Sequence, residues 1–69
     1  MTFGKMLDIL IARSGITKSE LAERVGVSKQ SITELTKGRS KEPAFSTAVA
    51  MAEVLGVSLT EMVEMMRDE

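Results

Sequence analysis

The sequence predicts an all-α domain of five short helices, and three observations lead to this fold class. Apolar residues recur at spacings of three and four positions in five separate segments, which is the helical period. A serine or threonine precedes most of these segments and a glycine follows most of them, as at helix ends. A length of 69 residues suits one compact unit, so we expect residues 1–69 to form a single domain.

The first helix is expected over residues 3–13. Thr2 is placed to cap its N-terminus, and Gly15 is placed to end it. Met6 and Ile9 add apolar positions beside the main stripe. They fit either a broad buried stripe in a small core, which we favour, or an interface with a partner. The main stripe is formed by residues at helical spacing: Phe3, Leu7, Leu10 and Ile11.

Residues 18–37 contain two short amphipathic helices joined by a tight turn. Thr17 and Glu20 have the spacing of a capping box before the first of them, and Ser28 is placed to cap the second. Gly26 supplies the left-handed conformation that the turn requires. This is the pattern of a helix-turn-helix, formed by helices 2 and 3. Its inward positions are all small or apolar: Leu21, Ala22, Val25, Val27, Ile32 and Leu35.

The outward side of helix 3 is polar, and a basic loop follows the helix. A plain helical hairpin with a solvated face would share this polarity, but it would not require Gly26 and the small Ala22 at the crossing. Gly38 is expected to end helix 3, and Pro43 holds Glu42 out of helical geometry. The loop between them is either a solvated linker or, as we expect after a helix-turn-helix, a clamp for phosphates. The outward residues are Lys29, Gln30, Thr33, Glu34 and Lys37.

Two further helices are expected over residues 45–55 and 59–67. Gly56 is placed to end helix 4, and Ser58 with Glu61 forms a capping box before helix 5. We expect helix 4 to face the core through Phe45, Val49 and Ala52, with Met51 and Leu55 beside them. We expect the apolar face of helix 5 to comprise Leu59, Met62, Val63 and Met66.

The composition argues against several classes of function. The chain has no cysteine and no histidine, so it lacks disulfides, thiolate or imidazole metal ligands and the usual nucleophile–base pairs. Phosphate-binding and dinucleotide-binding glycine motifs are missing as well. We therefore expect no enzyme activity, no cofactor, no metal and no small-molecule ligand. No apolar run approaches the roughly 18 residues of a membrane span, and the first residues lack a signal-peptide pattern.

The two halves of the chain carry opposite charge. Residues 1–41 hold eight Lys or Arg against four Asp or Glu, a net charge of +4. Residues 42–69 hold one Arg against six Asp or Glu, a net charge of −5. Since DNA affinity depends on the local field at the docking face, the overall charge of −1 does not argue against DNA binding. It predicts weaker and less promiscuous binding than a strongly basic chain would show.

Several short stretches together form a recognisable pattern. They are residues 15–23, residues 25–28, Ile32, Gly38 with the following Pro43, Ala52 and residues 55–59. As a set, over about residues 5–63, they resemble the lambda-repressor-like helix-turn-helix family, which includes the lambdoid phage repressors, the Cro proteins and their XRE-type bacterial relatives. The resemblance implies a lambda-repressor-like five-helix fold whose helix 3 enters the major groove of double-stranded DNA.

The resemblance also implies site residues. Lys29, Gln30 and Thr33 match the base-reading positions, with Glu34 at their margin. Many relatives pair an arginine in helix 1 with a glutamate at the end of helix 3, where this chain has Ile11 and Thr36; we therefore expect that end to be less firmly oriented. Contacts with the DNA phosphates are expected from Arg13, Lys18, Ser28, Lys37, Arg39, Ser40 and Lys41.

The favoured function is sequence-specific transcriptional regulation, by a repressor that occupies a palindromic operator as a homodimer. We place it in the cytoplasm, at the nucleoid, as a prokaryotic or phage-encoded protein. The alternative is an antitoxin or anti-regulator that acts mainly through a protein partner bound by the acidic, methionine-rich helix 5. A dimer interface is expected from residues that equally suit closure of the monomer core: Pro43, Phe45, Val57, Val63 and Met66.

Overall fold

The computed structural model describes residues 1–40 and 42–67, and these form five helices and no strand. The all-α fold class is thus confirmed, and the helix bounds differ from the predicted ones by a single residue at the end of α1 and of α3. The elements in chain order are α1 (Phe3–Ser14), α2 (Lys18–Val25), α3 (Lys29–Thr36), α4 (Phe45–Leu55) and α5 (Leu59–Arg67).

The helices begin where the capping residues predict. The hydroxyl of Thr17 accepts a hydrogen bond from the backbone N–H of Glu20 at 3.0 Å, and the Glu20 carboxylate accepts one from the Thr17 N–H at 3.4 Å, completing the capping box. Ser28 caps α3 by accepting from the Ser31 N–H at 3.1 Å. Each cap satisfies an N–H that the first helical turn leaves unpaired. The same bond is made by Thr2 before α1 and by Ser58 before α5.

The turn between α2 and α3 depends on a left-handed residue. Gly26 has φ 90° and ψ 26°, and its N–H donates to the carbonyl oxygen of Ala22 at 2.9 Å. The N–H of Val27 donates to the same oxygen at 3.0 Å, and the Val27 side chain packs against the core. A side chain at Gly26 would strain this backbone, which explains the glycine at that position.

One core holds the five helices together. Met6 and Leu7 of α1 are fully buried, as are Leu21 of α2, Ile32 of α3 and Met51 of α4. The broad-stripe interpretation of α1 is therefore confirmed for Met6 but wrong for Ile9, which is 39% exposed. Because a helix turns by about 100° per residue, Ile9 lies on the edge of the buried side. The remaining core residues are Phe3, Leu10, Ile11, Ala22, Leu35, Ala52, Leu55 and Met62.

The predicted inward faces of α4 and α5 need correction. Phe45 is 75% exposed, because it is the first residue of α4 and this helix enters the core through its second half, at Met51 and Ala52. In α5, Met62 is buried, but Val63 is 50% exposed. The buried side of α5 includes Met65 in place of Val63, and it continues through Leu59 and Met66, which are partly buried against the core as Met65 is.

A close approach between α1 and α3 was not foreseen from the sequence. Gly4 is buried, and a Cβ atom built on it would overlap the carbonyl oxygen of Leu35. The same Cβ would lie 2.8 Å from the Leu35 carbonyl carbon and 3.3 Å from the Cα of Thr36. Only glycine lets the backbone of α1 pack directly on the end of α3.

Within residues 1–40 and 42–67, no single helix is long and apolar enough to cross a membrane. α4 and α5 reach the required length and hydropathy only as a pair, and they are bent by 100° relative to each other.

Candidate nucleic-acid interface

The inner side of α3 is anchored in the core. Ile32 is fully buried and Leu35 is 4% exposed, and both lie among core residues of the other helices. Ser28 fixes the start of the helix through its cap. An eight-residue helix held in this way presents one fixed side to the outside.

The residues predicted to read bases occupy that outer side. Lys29 and Gln30 are exposed in the first turn of α3, while Thr33 and Glu34 are half-buried one turn later. Gln30 and Glu34 also line an open groove of about 490 Å³ between α3, the following loop and the start of α4. The structure therefore brings all four residues to one accessible surface, as the helical spacing predicts.

Ser28 combines its capping role with an accessible hydroxyl. Its oxygen lies 3.0 Å from the hydroxyl oxygen of Ser31, and either group can donate in this bond. One O–H of the pair therefore remains available to an acceptor such as a phosphate.

Glu34 and Arg39, predicted for different roles, contact each other. The guanidinium Nη1 of Arg39 lies 3.3 Å from a carboxylate oxygen of Glu34, and the side chains are 67% and 33% exposed respectively. The backbone supports this pairing, because the N–H groups of Arg39 and Ser40 both donate to the Glu34 carbonyl, at 2.9 and 3.2 Å. Gly38, with φ 79°, turns the chain back to allow it. The basic loop therefore begins folded against α3.

The end of α3 is tied to α2 by a side-chain hydrogen bond. The Nζ of Lys18 donates to the hydroxyl of Thr36 at 3.1 Å, and that hydroxyl donates to the carbonyl of Thr33 at 3.1 Å. This bond links the end of α3 to another helix where many relatives have the arginine–glutamate pair. Ile11 is buried in the core, and Thr36 has a partner on α2.

The other predicted phosphate contacts are more scattered. Lys37 and Ser40 are exposed directly after α3. Arg13 is exposed at the end of α1, where it lines a separate, smaller groove with Leu55 and Val57. The predicted contact at Lys41 lies outside the described residues.

The residues predicted for a dimer interface differ in how much of each side chain is exposed to a partner. Phe45 and Val63 are the most exposed of them, at 75% and 50%. Pro43 lies in the wall of the groove beside α3. Val57 and Met66 pack against the core instead, which leaves them less area for a partner.

Among residues 1–40 and 42–67, no group of three or more acidic side chains is arranged to hold a metal ion.

The candidate interface consists of the polar outer side of α3, flanked by serine, lysine and arginine side chains. Such a surface carries the kinds of polar and charged group that contacts with phosphates and base edges require.

Comparison with known proteins identifies the family. The model of the helix-turn-helix family matches residues 8–62. The chain is 33% identical over 51 residues to the HTH-type transcriptional regulator for the conjugative element SXT of Vibrio cholerae. This match covers 74% of this chain and 24% of the relative. It is 50% identical over 42 residues to an HTH-type transcriptional regulator of Methanothermobacter thermautotrophicus, covering 61% of this chain and 59% of the relative. The chain thus spans about a quarter of the length of the first relative and somewhat less than two thirds of the second.

Solved structures show the same fold. The clp gene regulator ClgR from Corynebacterium glutamicum superposes with a TM-score of 0.84 at 31% identity, over 90% of this chain and 65% of ClgR. The regulator of biofilm formation SinR, solved in complex with DNA, superposes with a TM-score of 0.82 at 24% identity, over 88% of this chain and 97% of SinR. The chain therefore has the lambda-repressor-like fold that its sequence pattern predicts, and it belongs to the helix-turn-helix family.

Proposed function

We propose that this chain is a transcriptional regulator that binds a specific sequence of double-stranded DNA, and that it represses by occupying a palindromic operator as a homodimer. The observation that carries the proposal is the division of α3 into a side buried at Ile32 and Leu35 and an accessible polar side at Lys29 and Gln30. A helix fixed in this way presents its first residues to the major groove in one orientation.

The polar side matches the chemistry of base edges. The Gln30 amide pairs bidentately with adenine N6 and N7, and the Lys29 ammonium reaches guanine O6 or N7. The Thr33 methyl group suits a thymine methyl group, and Glu34 accepts from cytosine N4 at the margin of the surface. The predicted phosphate contacts set the register of the helix on the duplex. They are Arg13, Lys18, Ser28, Lys37, Arg39, Ser40 and Lys41.

A single domain of this size contacts one half-site. A homodimer places two α3 helices about one helical turn, roughly 34 Å, apart on a palindromic operator. Phe45 and Val63 supply the most exposed large apolar side chains for such a dimer. The predicted setting is the cytoplasm, at the nucleoid, for a prokaryotic or phage-encoded protein.

Selection of duplexes from a random pool, followed by sequencing, tests this function. We expect a palindromic consensus, a complex of two chains per duplex in sedimentation, and an affinity that falls steeply with salt because phosphate contacts release counterions. A consensus without symmetry, bound by one chain, would contradict the homodimer.

The Gln30→Ala variant tests base reading. We expect it to weaken binding to the selected duplex by about 1–3 kcal/mol and to relax the preference at one base pair. Thr60→Ala, at an exposed polar position on α5, is the matched control and should bind as the wild type does. Equal losses of Gln30→Ala on selected and random duplexes would contradict base reading at that position.

A second candidate function is an antitoxin or anti-regulator that binds a protein partner through α5. The half-exposed Val63, which lies between Glu61 and Glu64 on that helix, favours it. Affinity for DNA that is absent, or independent of salt, would support this candidate and contradict the proposed function.

A further inference from the structure

The hydrogen bond between Lys18 and Thr36 joins the first residue of α2 to the last residue of α3. The Nζ–Oγ1 distance is 3.1 Å, the two residues are 18 positions apart, and both are half-buried. Lys18 therefore does more than extend into solvent as a free cation.

The Thr36 hydroxyl acts as both acceptor and donor. Its oxygen accepts from Lys18 while its O–H donates to the Thr33 carbonyl at 3.1 Å. The Lys37 N–H donates to the same carbonyl at 2.9 Å. The ammonium group thus polarises a chain of hydrogen bonds that runs into the last turn of α3, where each bond strengthens its neighbour.

The electrostatics of the two helix ends indicate which helix Lys18 serves. A positive charge at the N-terminus of α2 opposes the partial positive charge of that end. The same charge beside the carbonyl groups at the C-terminus of α3 is favourable. The position of Lys18 therefore stabilises the end of α3 rather than the start of α2.

The end of α3 also contacts α1. The backbone of α1 at Gly4 packs on the Leu35 carbonyl and the Thr36 Cα. The start of α3 is fixed separately by the Ser28 cap. Because both ends of this short helix are held, its direction is fixed, and with it the positions of Gln30 and the neighbouring polar residues.

We propose that Thr36 is a positioning residue for sequence reading and that Lys18 is its anchor. This inference rests on the proposed DNA-binding function and adds to it a residue that need not touch DNA. Loss of the hydroxyl leaves every phosphate-contacting charge in place but lets the end of α3 shift relative to α2. The discrimination between operator and random sequence falls, while general affinity for DNA does not.

The test compares Thr36→Val, which has the same shape without the hydroxyl, with Thr36→Ser, which keeps it. Affinities of the full chain are measured on the selected duplex and on a random duplex across a range of salt. We expect Thr36→Val to lower the ratio of the two affinities about tenfold, which corresponds to about 1.4 kcal/mol. The affinity for random duplex and its salt slope should stay at the wild-type values. Thr36→Ser should restore the ratio.

Lys18→Met provides the second arm and serves also if Thr36→Val does not fold, which thermal melting shows. This variant should lower the affinity ratio as well as the salt slope. A purely phosphate-contacting Lys18 would lower the slope alone, and that result would overturn the inference. So would a Thr36→Val ratio within twofold of the wild type, or equal losses on both duplexes. If the wild-type chain itself does not prefer any duplex, the proposed function fails, which is a distinguishable outcome.

Discussion

Replacement of Gly4 by alanine is predicted to destabilise the domain, although alanine is the better helix former. The added methyl group would overlap the Leu35 carbonyl oxygen and lie 2.8 Å from its carbon. These are backbone atoms of α3, which cannot rotate aside as a flexible side chain does. The two helices must therefore move apart, or α1 must shift along α3.

The expected magnitude follows from two opposing terms. Alanine in place of glycine favours a helix by at most about 1 kcal/mol. Overpacking at a close contact disfavours folding by about 1–3 kcal/mol, and immobile backbone atoms place Gly4 at the upper end of that range. The net loss in the free energy of unfolding is about 1–2 kcal/mol, which lowers the melting midpoint by roughly 5–15 °C.

Circular dichroism at the helical band, during heating and during urea titration, measures both quantities. Ala12→Gly, at an exposed position in the last turn of α1, is the control for helix propensity and should lose up to about 1 kcal/mol without any clash. The reasoning is refuted if Gly4→Ala raises the melting midpoint, because propensity alone would then govern the position.

Three further variants test separate features of the molecule. Thr17→Ala removes the capping hydroxyl of α2 and should lower the free energy of unfolding by about 1 kcal/mol in the melting experiment. Ser19→Ala, at an exposed position in the first turn of α2, should change it little. Glu34→Gln removes the carboxylate that pairs with Arg39 and should raise the affinity for random duplex about threefold in a fluorescence anisotropy titration at low salt; an unchanged affinity would show that the pair does not restrain Arg39. Lys41→Ala should weaken binding to all duplexes alike and lower the salt slope by about one, and an unchanged slope would place Lys41 away from phosphate.

The helices were predictable because their signals are local. Thr17 and Ser28 each accept from an N–H three residues ahead, so a short stretch of sequence contains both partners. The left-handed residue at Gly26 is equally a property of its own position. The polar side of α3 followed from helical spacing once Ile32 and Leu35 were placed inward.

The features that escaped prediction depend on distant or irregular neighbours. Thr36 meets Lys18 across 18 positions, and Gly4 meets the end of α3 only because two helices happen to pack there. Arg39 reaches Glu34 across Gly38 at a spacing of five residues, which no helical rule contains. Hydrophobicity alone misplaced Phe45 and Val63, since it does not say which part of a short helix enters the core.

Three methionine side chains lie inside the core, so their oxidation reports how much of the protein has an open core. Met6 and Met51 have no exposed area, and Met62 is 3% exposed. Peroxide converts a thioether to a polar sulfoxide only when it can reach the sulfur, so the oxidation rate of these side chains depends on the fraction of molecules in which the core is open. Each such event leaves a polar oxygen that the closed core cannot accommodate. Oxidation during exposure to peroxide is therefore expected to inactivate the domain at a rate that rises with the population of its open state.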